Sequence, residues 1–287
     1  MPASGTFGYG REYEPFIDLN RLGAIIVKTI TLKPRVGSYP HRSTEVPSGL
    51  LASIGLQNVG VERFIQEKLP YFQTLETPLI VSIGGETIQE YAKLAEMLNR
   101  QKRVDALELN ISCPNVKKGG IHFGVDPEAT RELVTSVRNM TDKPIIVKLT
   151  PMVTDILVFS EISQQSGSNA LSLINGLPGL SINIKTRRSK LGRNLTGGFV
   201  GPAIKPFALY LVRQVYQAID IPLIGIGGIS SAEDAIEYLI AGASAVQIGT
   251  YNFVDPAITL KVIDGIKAYM IQSKIEKISR LIGSLKG

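Results

Sequence analysis

Ser244-Ala245-Val246-Gln247-Ile248-Gly249-Thr250 is one of four occurrences of a single phrase, in which alanine leads into a short apolar run that ends on polar residues or glycine. The others are Gly23-Ala24 before Ile25-Ile26-Val27-Lys28-Thr29, Asp105-Ala106 before Leu107-Glu108-Leu109-Asn110, and Asn169-Ala170 before Leu171-Ser172-Leu173-Ile174-Asn175. A second phrase opens with proline: Pro78 before Leu79-Ile80-Val81-Ser82, Pro144 before Ile145-Ile146-Val147-Lys148-Leu149-Thr150, and Pro222 before Leu223-Ile224-Gly225-Ile226-Gly227-Gly228. Each reads as a buried strand, with proline at the first position, where no ladder donor is lost. The two phrases alternate along the chain, and amphipathic segments at 60–70, 87–99, 126–139, 154–165, 205–219 and 231–241 separate most of them. Capping residues agree: Asp126 stands before Pro127, and Ser231 stands ahead of Glu233 and Asp234.

This repeat predicts an α/β protein in which parallel strands are covered by helices and close into a (β/α)8 TIM barrel. Seven strands are accounted for, and the eighth should come first. There Met1-Pro2-Ala3-Ser4-Gly5 reads as only the C-terminal end of a strand, so the expectation is a truncated first strand with a segment missing upstream. Residues 1–287 read as one barrel domain whose segment 254–287 supplies the last helix and a C-terminal helical extension. In that tail Ile271, Ile275, Ile278, Leu281, Ile282 and Leu285 form an apolar stripe among Lys274, Lys277, Arg280 and Lys286. It is expected to pack on the barrel or another subunit, with membrane-surface binding the lesser alternative.

With 287 residues, 44% hydrophobic and 20% charged, the chain can bury a full core, which excludes disorder. The net charge of +6 is spread along the chain without a basic run, so an anionic small molecule fits better than nucleic acid. One cysteine, Cys113, permits no internal disulfide, and no signal pattern or roughly 20-residue apolar span is seen, which predicts a cytoplasmic protein with no membrane span. His41 and His122 lack metal-ligand spacing, so no metal is expected.

In such barrels the chemistry sits at the C-terminal ends of the strands. Those ends carry Ser4, Lys28 with Thr29, Ser82, Asn110 with Cys113 and Asn115, Lys148 with Thr150, Asn175, Gly227 with Gly228, and Gly249 with Thr250. Glycines after the last two strands leave backbone N–H groups uncovered ahead of helix N-termini, the way these barrels hold a phosphate, although they would also serve as plain tight turns. Ser230 interrupts any G-x-G-x-x-G, so no dinucleotide fingerprint is present. Lys28 and Lys148 can each be an anion clamp, a Schiff-base nucleophile or a proton donor, or can simply pair with a carboxylate, though few acids accompany them at the rim. The amides of Asn110, Asn115 and Asn175 donate and accept at once, as a planar ring bearing amide groups requires, or else cap turns. Cys113 is either an inert small residue or, near the lysines, a reactive thiolate.

These residues carry a family resemblance. Through Pro2-Ala3-Ser4-Gly5-Thr6-Phe7-Gly8, Asn110-Ile111-Ser112-Cys113-Pro114-Asn115, Val147-Lys148-Leu149-Thr150-Pro151 and Gly201-Pro202-Ala203-Ile204-Lys205-Pro206 the chain resembles the class 1B dihydroorotate dehydrogenases, catalytic flavoprotein subunits of pyrimidine (UMP) biosynthesis. The membrane-bound class of that family uses a serine base instead. The resemblance implies FMN, with its phosphate on Gly227, Gly228, Gly249 and Thr250 and its ring near Ser4, Lys28, Thr29, Asn110, Lys148, Ile174 and Gly201. It implies dihydroorotate held by Lys28, Ser53, Ile54, Gly55, Leu56, Asn110, Asn115, Asn175 and Gly176, with orotate as product. It makes Cys113 the base at C5 while hydride leaves C6 for the flavin, with Lys28 and Lys148 completing the catalytic set. It also implies an iron–sulfur and FAD electron-transfer subunit that passes electrons to NAD, and a homodimer core within a heterotetramer.

Four positions depart from the family pattern: Ala52 stands for a substrate-binding asparagine, Ser82 for a cofactor-site asparagine, Gly176 for a threonine beside the substrate and Val200 for a serine ahead of Gly201. Loss of an amide that donates to a buried ring oxygen or carboxylate costs about 1.5–3 kcal/mol. The alternatives are therefore a flavin dehydrogenase of this family acting on another cyclic amide, a phosphate-binding barrel lyase or aldolase using a Schiff-base lysine, and a non-catalytic barrel.

Overall fold

The computed structural model describes residues 1–112 and 120–286. The seven phrases form seven strands: β1 (Ile25–Ile30), β2 (Leu79–Ile83), β3 (Ala106–Asn110), β4 (Ile145–Lys148), β5 (Ala170–Leu173), β6 (Leu223–Ile226) and β7 (Ala245–Gln247). They pair in chain order and all in parallel. Residues 1–8 span the interval between β7 and β1. On one side the Ala3 N–H donates to the Ile248 carbonyl at 2.8 Å and the Ile248 N–H to the Met1 carbonyl at 2.9 Å, while on the other the Lys28 N–H donates to the Gly8 carbonyl at 2.9 Å. The eighth position is thus held by a single parallel bridge, Pro2 to Ile248.

Side-chain alternation along each strand separates two cores. Ala24, Ile26, Ile80, Ala106, Ile146 and Ile224 point inward and plug the N-terminal end of the barrel. Their neighbours Ile25, Val27, Leu79, Val81, Leu107, Ile145, Val147 and Leu171 point outward into the main core, against the helices. Those helices are α1 (Ile88–Asn99), α2 (Pro127–Arg138), α3 (Ile156–Gln165), α4 (Lys205–Tyr216), α5 (Ala232–Ala241) and α6 (Ile258–Gln272). Asp126 caps α2 by accepting from the Ala129 N–H, and Ser231 with Asp234 forms a reciprocal capping box on α5, each such cap contributing about 1 kcal/mol. The segment expected as a helix at 60–70 is three linked turns, Val61–Arg63, a π-helical Phe64–Lys68 and Leu69–Phe72.

Two features were not foreseen. A four-stranded antiparallel sheet, Ser43–Val46, Gly49–Ala52, Gly197–Val200 and Leu177–Gly179, lies beside the barrel mouth. The apolar stripe of the C-terminal segment is also broken, between α6 and the extension that follows it, and the break has a local cause. Lys274 adopts φ 54°, its N–H donates to Ile271 at 3.1 Å and the Ile275 N–H to Met270 at 2.8 Å, which is the left-handed cap that stops α6. Beyond it Leu281 is buried, and the N–H groups of Gly283 and Leu285 donate to Leu239 and Ile240 at the end of α5. The tail therefore packs on the barrel, leaving Ile271, Ile278 and Leu285 exposed. No helix among the described residues is long and apolar enough to cross a membrane.

Candidate active site

Above the apolar plug the inward positions turn polar, and above those a cavity of about 680 Å³ opens at the C-terminal ends of the strands. That volume falls within the range of small-molecule and cofactor sites. Its wall brings together Ser4, Lys28, Thr29, Asn110, Lys148, Ile174, Asn175, Gly176 and Gly201, with the glycines of the last two strands and Thr250. Of the segment 53–56, Ile54, Gly55 and Leu56 reach the cavity. Ser53 does not: it is buried behind the wall, and its N–H donates to the Arg42 carbonyl at 2.7 Å. Cys113 and Asn115 lie outside the described residues.

The glycines after β6 and β7 form a cradle. Gly227 and Gly228 have φ 131° and 67°, and a Cβ on Gly228 would come within 2.7 Å of Lys205 Cβ and 3.0 Å of the Gly201 carbonyl oxygen. The N–H groups of Gly228 and Thr250 donate to no group among the described residues, and both residues face the cavity, so they suit an anion. Asp234 accepts from the Ser230 and Ser231 N–H groups at 2.8 and 3.1 Å and pairs with Lys205 at 2.6 Å. The N–H groups of Ser230, Ser231 and Asp234 are thus taken up within the protein, which leaves the glycine backbone ahead of α5 as the anion site. The residues present therefore fit the phosphate of a mononucleotide.

A chain of hydrogen bonds fixes the polar wall. The Asn175 amide donates to Ser112 Oγ at 2.9 Å, Ser112 to Asn110 Oδ1 at 3.3 Å, and the Asn110 amide to Thr29 Oγ1 at 3.0 Å, which lies 3.0 Å from Ser82 Oγ. Both asparagines are thus held in one orientation by protein partners, each with capacity left at the cavity. Ser82 completes the network through its hydroxyl. Ser112, a buried link absent from the sequence expectations, could have been suspected from its place between Asn110 and Cys113.

The lysines sit in different surroundings. Lys28 is half-buried, its ammonium 5.5 Å from the centre of the Tyr9 ring; burial pulls its pKa below the ordinary lysine value, Glu12 opposes and Arg42 adds to the shift. Glu12 itself lines the cavity. Lys148 is buried, with Nζ 4.0 Å from Glu108 Oε1. Glu108 is fully buried in the barrel interior; its Oε2 accepts from Gln247 at 2.9 Å and Ser172 at 3.3 Å, while Oε1 has no hydrogen-bond partner among the described residues. Glu12 at the rim and Glu108 in the barrel interior below it are the acids that accompany the lysines, and neither was singled out in the sequence. A charged residue in the otherwise apolar run Leu107-Glu108-Leu109 was the available signal.

Fold and site together define a barrel enzyme whose mouth joins a glycine cradle for an anion to two lysines and a line of fixed amides. The family model of dihydroorotate dehydrogenase matches residues 1–270. Curated relatives named "dihydroorotate dehydrogenase B (NAD(+)), catalytic subunit" include those of Geotalea daltonii, 52% identical over 286 residues covering 100% of this chain and 93% of that protein, and of Thermoanaerobacter sp. strain X514, 52% identical with 100% and 94% covered. The same-named protein of Thermodesulfovibrio yellowstonii is 50% identical with 100% and 94% covered. The chain belongs to the dihydroorotate dehydrogenase family.

Proposed function

We propose that this chain is the catalytic subunit of a class 1B dihydroorotate dehydrogenase, oxidising (S)-dihydroorotate to orotate for pyrimidine synthesis. The observation that carries the reading is the union in one cavity of the Gly227, Gly228, Gly249 and Thr250 cradle with Lys28, Asn110, Lys148 and Asn175. FMN is the cofactor that fits: when bound, it supplies the acceptor for the hydride from substrate C6. The Gly228 and Thr250 N–H groups would hold its phosphate, and Ser4, Thr29, Ile174 and Gly201 would border its ring. Lys148, which borders the cavity, would supply a positive charge to that site. Lys28 meets the substrate carboxylate, and Asn110 and Asn175, held by Ser112, read the cyclic amide. The Cys113 thiolate takes the C5 proton, so that substrate loses one hydride and one proton and becomes orotate.

The names of the relatives, "NAD(+)" and "catalytic subunit", support a separate subunit that carries electrons to NAD. An iron–sulfur and FAD protein is that partner, joined to a homodimer of this chain in a cytoplasmic heterotetramer. The whole chain acts as one FMN-binding domain. Purification of the chain with FMN, followed by gel filtration, tests the cofactor reading: a yellow protein carrying about one FMN per chain is expected, and protein that never retains FMN contradicts it.

A further inference from the structure

The roof of the cavity is a two-stranded ladder in which Gly198 pairs with Ala52 and Val200 with Leu50, alternating with the pair Phe199 and Leu51. The pleat sends the first two pairs to one face, and Leu50, Ala52, Gly198 and Val200 all line the cavity. None of these side chains can donate or accept a hydrogen bond. Beneath this face lies Gly176. A Cβ placed there would stand 2.7 Å from Val200 Cγ1, 3.1 Å from the Phe199 carbonyl oxygen and 3.4 Å from Gly198 Cα. Valine is branched at Cβ and stiff at χ1, and two of the three obstacles are backbone, so little can move aside. Gly176 has a negative φ, since it is absent from the residues in the left-handed region. Space, and not backbone conformation, is what demands glycine at this position.

We propose that Gly176 and Val200 are a sterically interlocked, specificity-determining pair. Valine at 200 fills the volume that a side chain at 176 would need, and with Ala52 it gives the pocket an apolar roof. The ligand is then read by hydrogen bonds where Lys28, Asn110 and Asn175 stand and at the edge of the roof, where Ser43 pairs with Ala52 and lines the cavity, and by shape against Val200, Ala52 and Gly176. The class it takes is a flat anionic cyclic amide whose edge against Val200 and Ala52 asks for no hydrogen bond. The inference deepens the dihydroorotate reading and rests on it for the identity of the probe.

The test is a four-protein cycle of wild type, G176T, V200S and G176T/V200S, with G176A as the smallest version of the same intrusion. Each FMN-loaded protein is measured for melting temperature, for FMN affinity and for orotate affinity by perturbation of the flavin spectrum. G176T alone should melt lower and bind orotate roughly ten- to a hundredfold more weakly, as expected of an overpacked site, with FMN affinity unchanged. Adding V200S should recover most of both losses. Additive effects on melting, or a G176T protein indistinguishable from wild type, would overturn the interlock. Coupled melting with equal orotate affinity in all four proteins would overturn its role in specificity. Wild type that holds FMN but gives no orotate signal would contradict the dihydroorotate reading itself, and the melting cycle would still decide whether the pair is interlocked.

Discussion

Replacing Glu108 by glutamine removes a charge from the interior of the barrel while keeping its volume. The carboxylate is fully buried and Lys148, 93% buried at its side chain by a relative exposure of 7%, is its nearest cation at 4.0 Å. At that separation, with an effective dielectric near 20, the attraction is about 4 kcal/mol. Two effects reduce the net loss. Lys148 borders the cavity and can turn towards water, and a glutamine carbonyl can still accept from Gln247 and Ser172. One effect adds to it, because the amide NH2 would face the ammonium at Oε1, where no other partner stands among the described residues. A net destabilisation of roughly 2–3 kcal/mol follows, below the about 3–5 kcal/mol of a fully enclosed pair because the Lys148 ammonium can reach the cavity. For a chain of this size that lowers the melting temperature by roughly 4–10 °C. The assay is denaturant and thermal unfolding of FMN-free wild type, E108Q, K148M and the double variant. The second substitution should cost far less in the background of the first, giving a coupling of at least about 1 kcal/mol. E108Q as stable as wild type, or a coupling below about 0.5 kcal/mol, would refute the electrostatic account of the barrel interior.

Four further outcomes are expected. G228A places a Cβ at a left-handed backbone position and against Lys205, so FMN affinity, read by flavin fluorescence on dilution, should fall roughly ten- to a hundredfold. Burial holds the Lys28 pKa below 10.5, so as pH rises through that lowered value the ammonium is lost: orotate affinity should be flat near neutrality and fall before pH 10.5 is reached, whereas the free protein, relieved of a buried charge, gains stability over the same interval. Orotate titrations between neutral and alkaline pH check this, and K28M should bind weakly with no such fall. K274G removes a lysine from φ 54° at the end of α6 and should stabilise the chain by about 0.5–1 kcal/mol in denaturant melts. C113S should leave the flavin spectrum unchanged while slowing flavin reduction by dihydroorotate by orders of magnitude near neutral pH, because a hydroxyl is a far weaker base than a thiolate; unaltered rates would remove Cys113 from proton transfer.

The barrel was legible because the alternation of inward and outward residues is written twice, in the alanine and proline phrases, and capping residues such as Asp126 and Ser231 mark where helices begin. The strand ends therefore pointed to the rim where the cavity opens, and Lys28, Asn110, Lys148, Asn175 and the glycines meet there. The roof was not legible, since Gly49–Ala52 and Gly197–Val200 are short and gain their ladder only by pairing across about 150 residues of chain. Glu108 went unassigned because a strand pattern does not reveal which neighbour a buried charge will meet, and only the parallel register of β3 with β4 brings Lys148 beside it. The position of the break in the C-terminal stripe was not legible because helical spacing alone carries no stop signal when lysine, and not glycine, adopts the left-handed cap.

The central claim is that this cavity couples dihydroorotate oxidation to a bound flavin, and a single anaerobic turnover tests it most directly. FMN-loaded protein mixed with excess L-dihydroorotate should lose its flavin absorbance and form orotate in a one-to-one ratio with the flavin reduced. A flavin band that persists while the protein remains folded and FMN stays bound would contradict the claim, and would direct the search for substrate to other cyclic amides under the roof of Ala52, Gly176 and Val200.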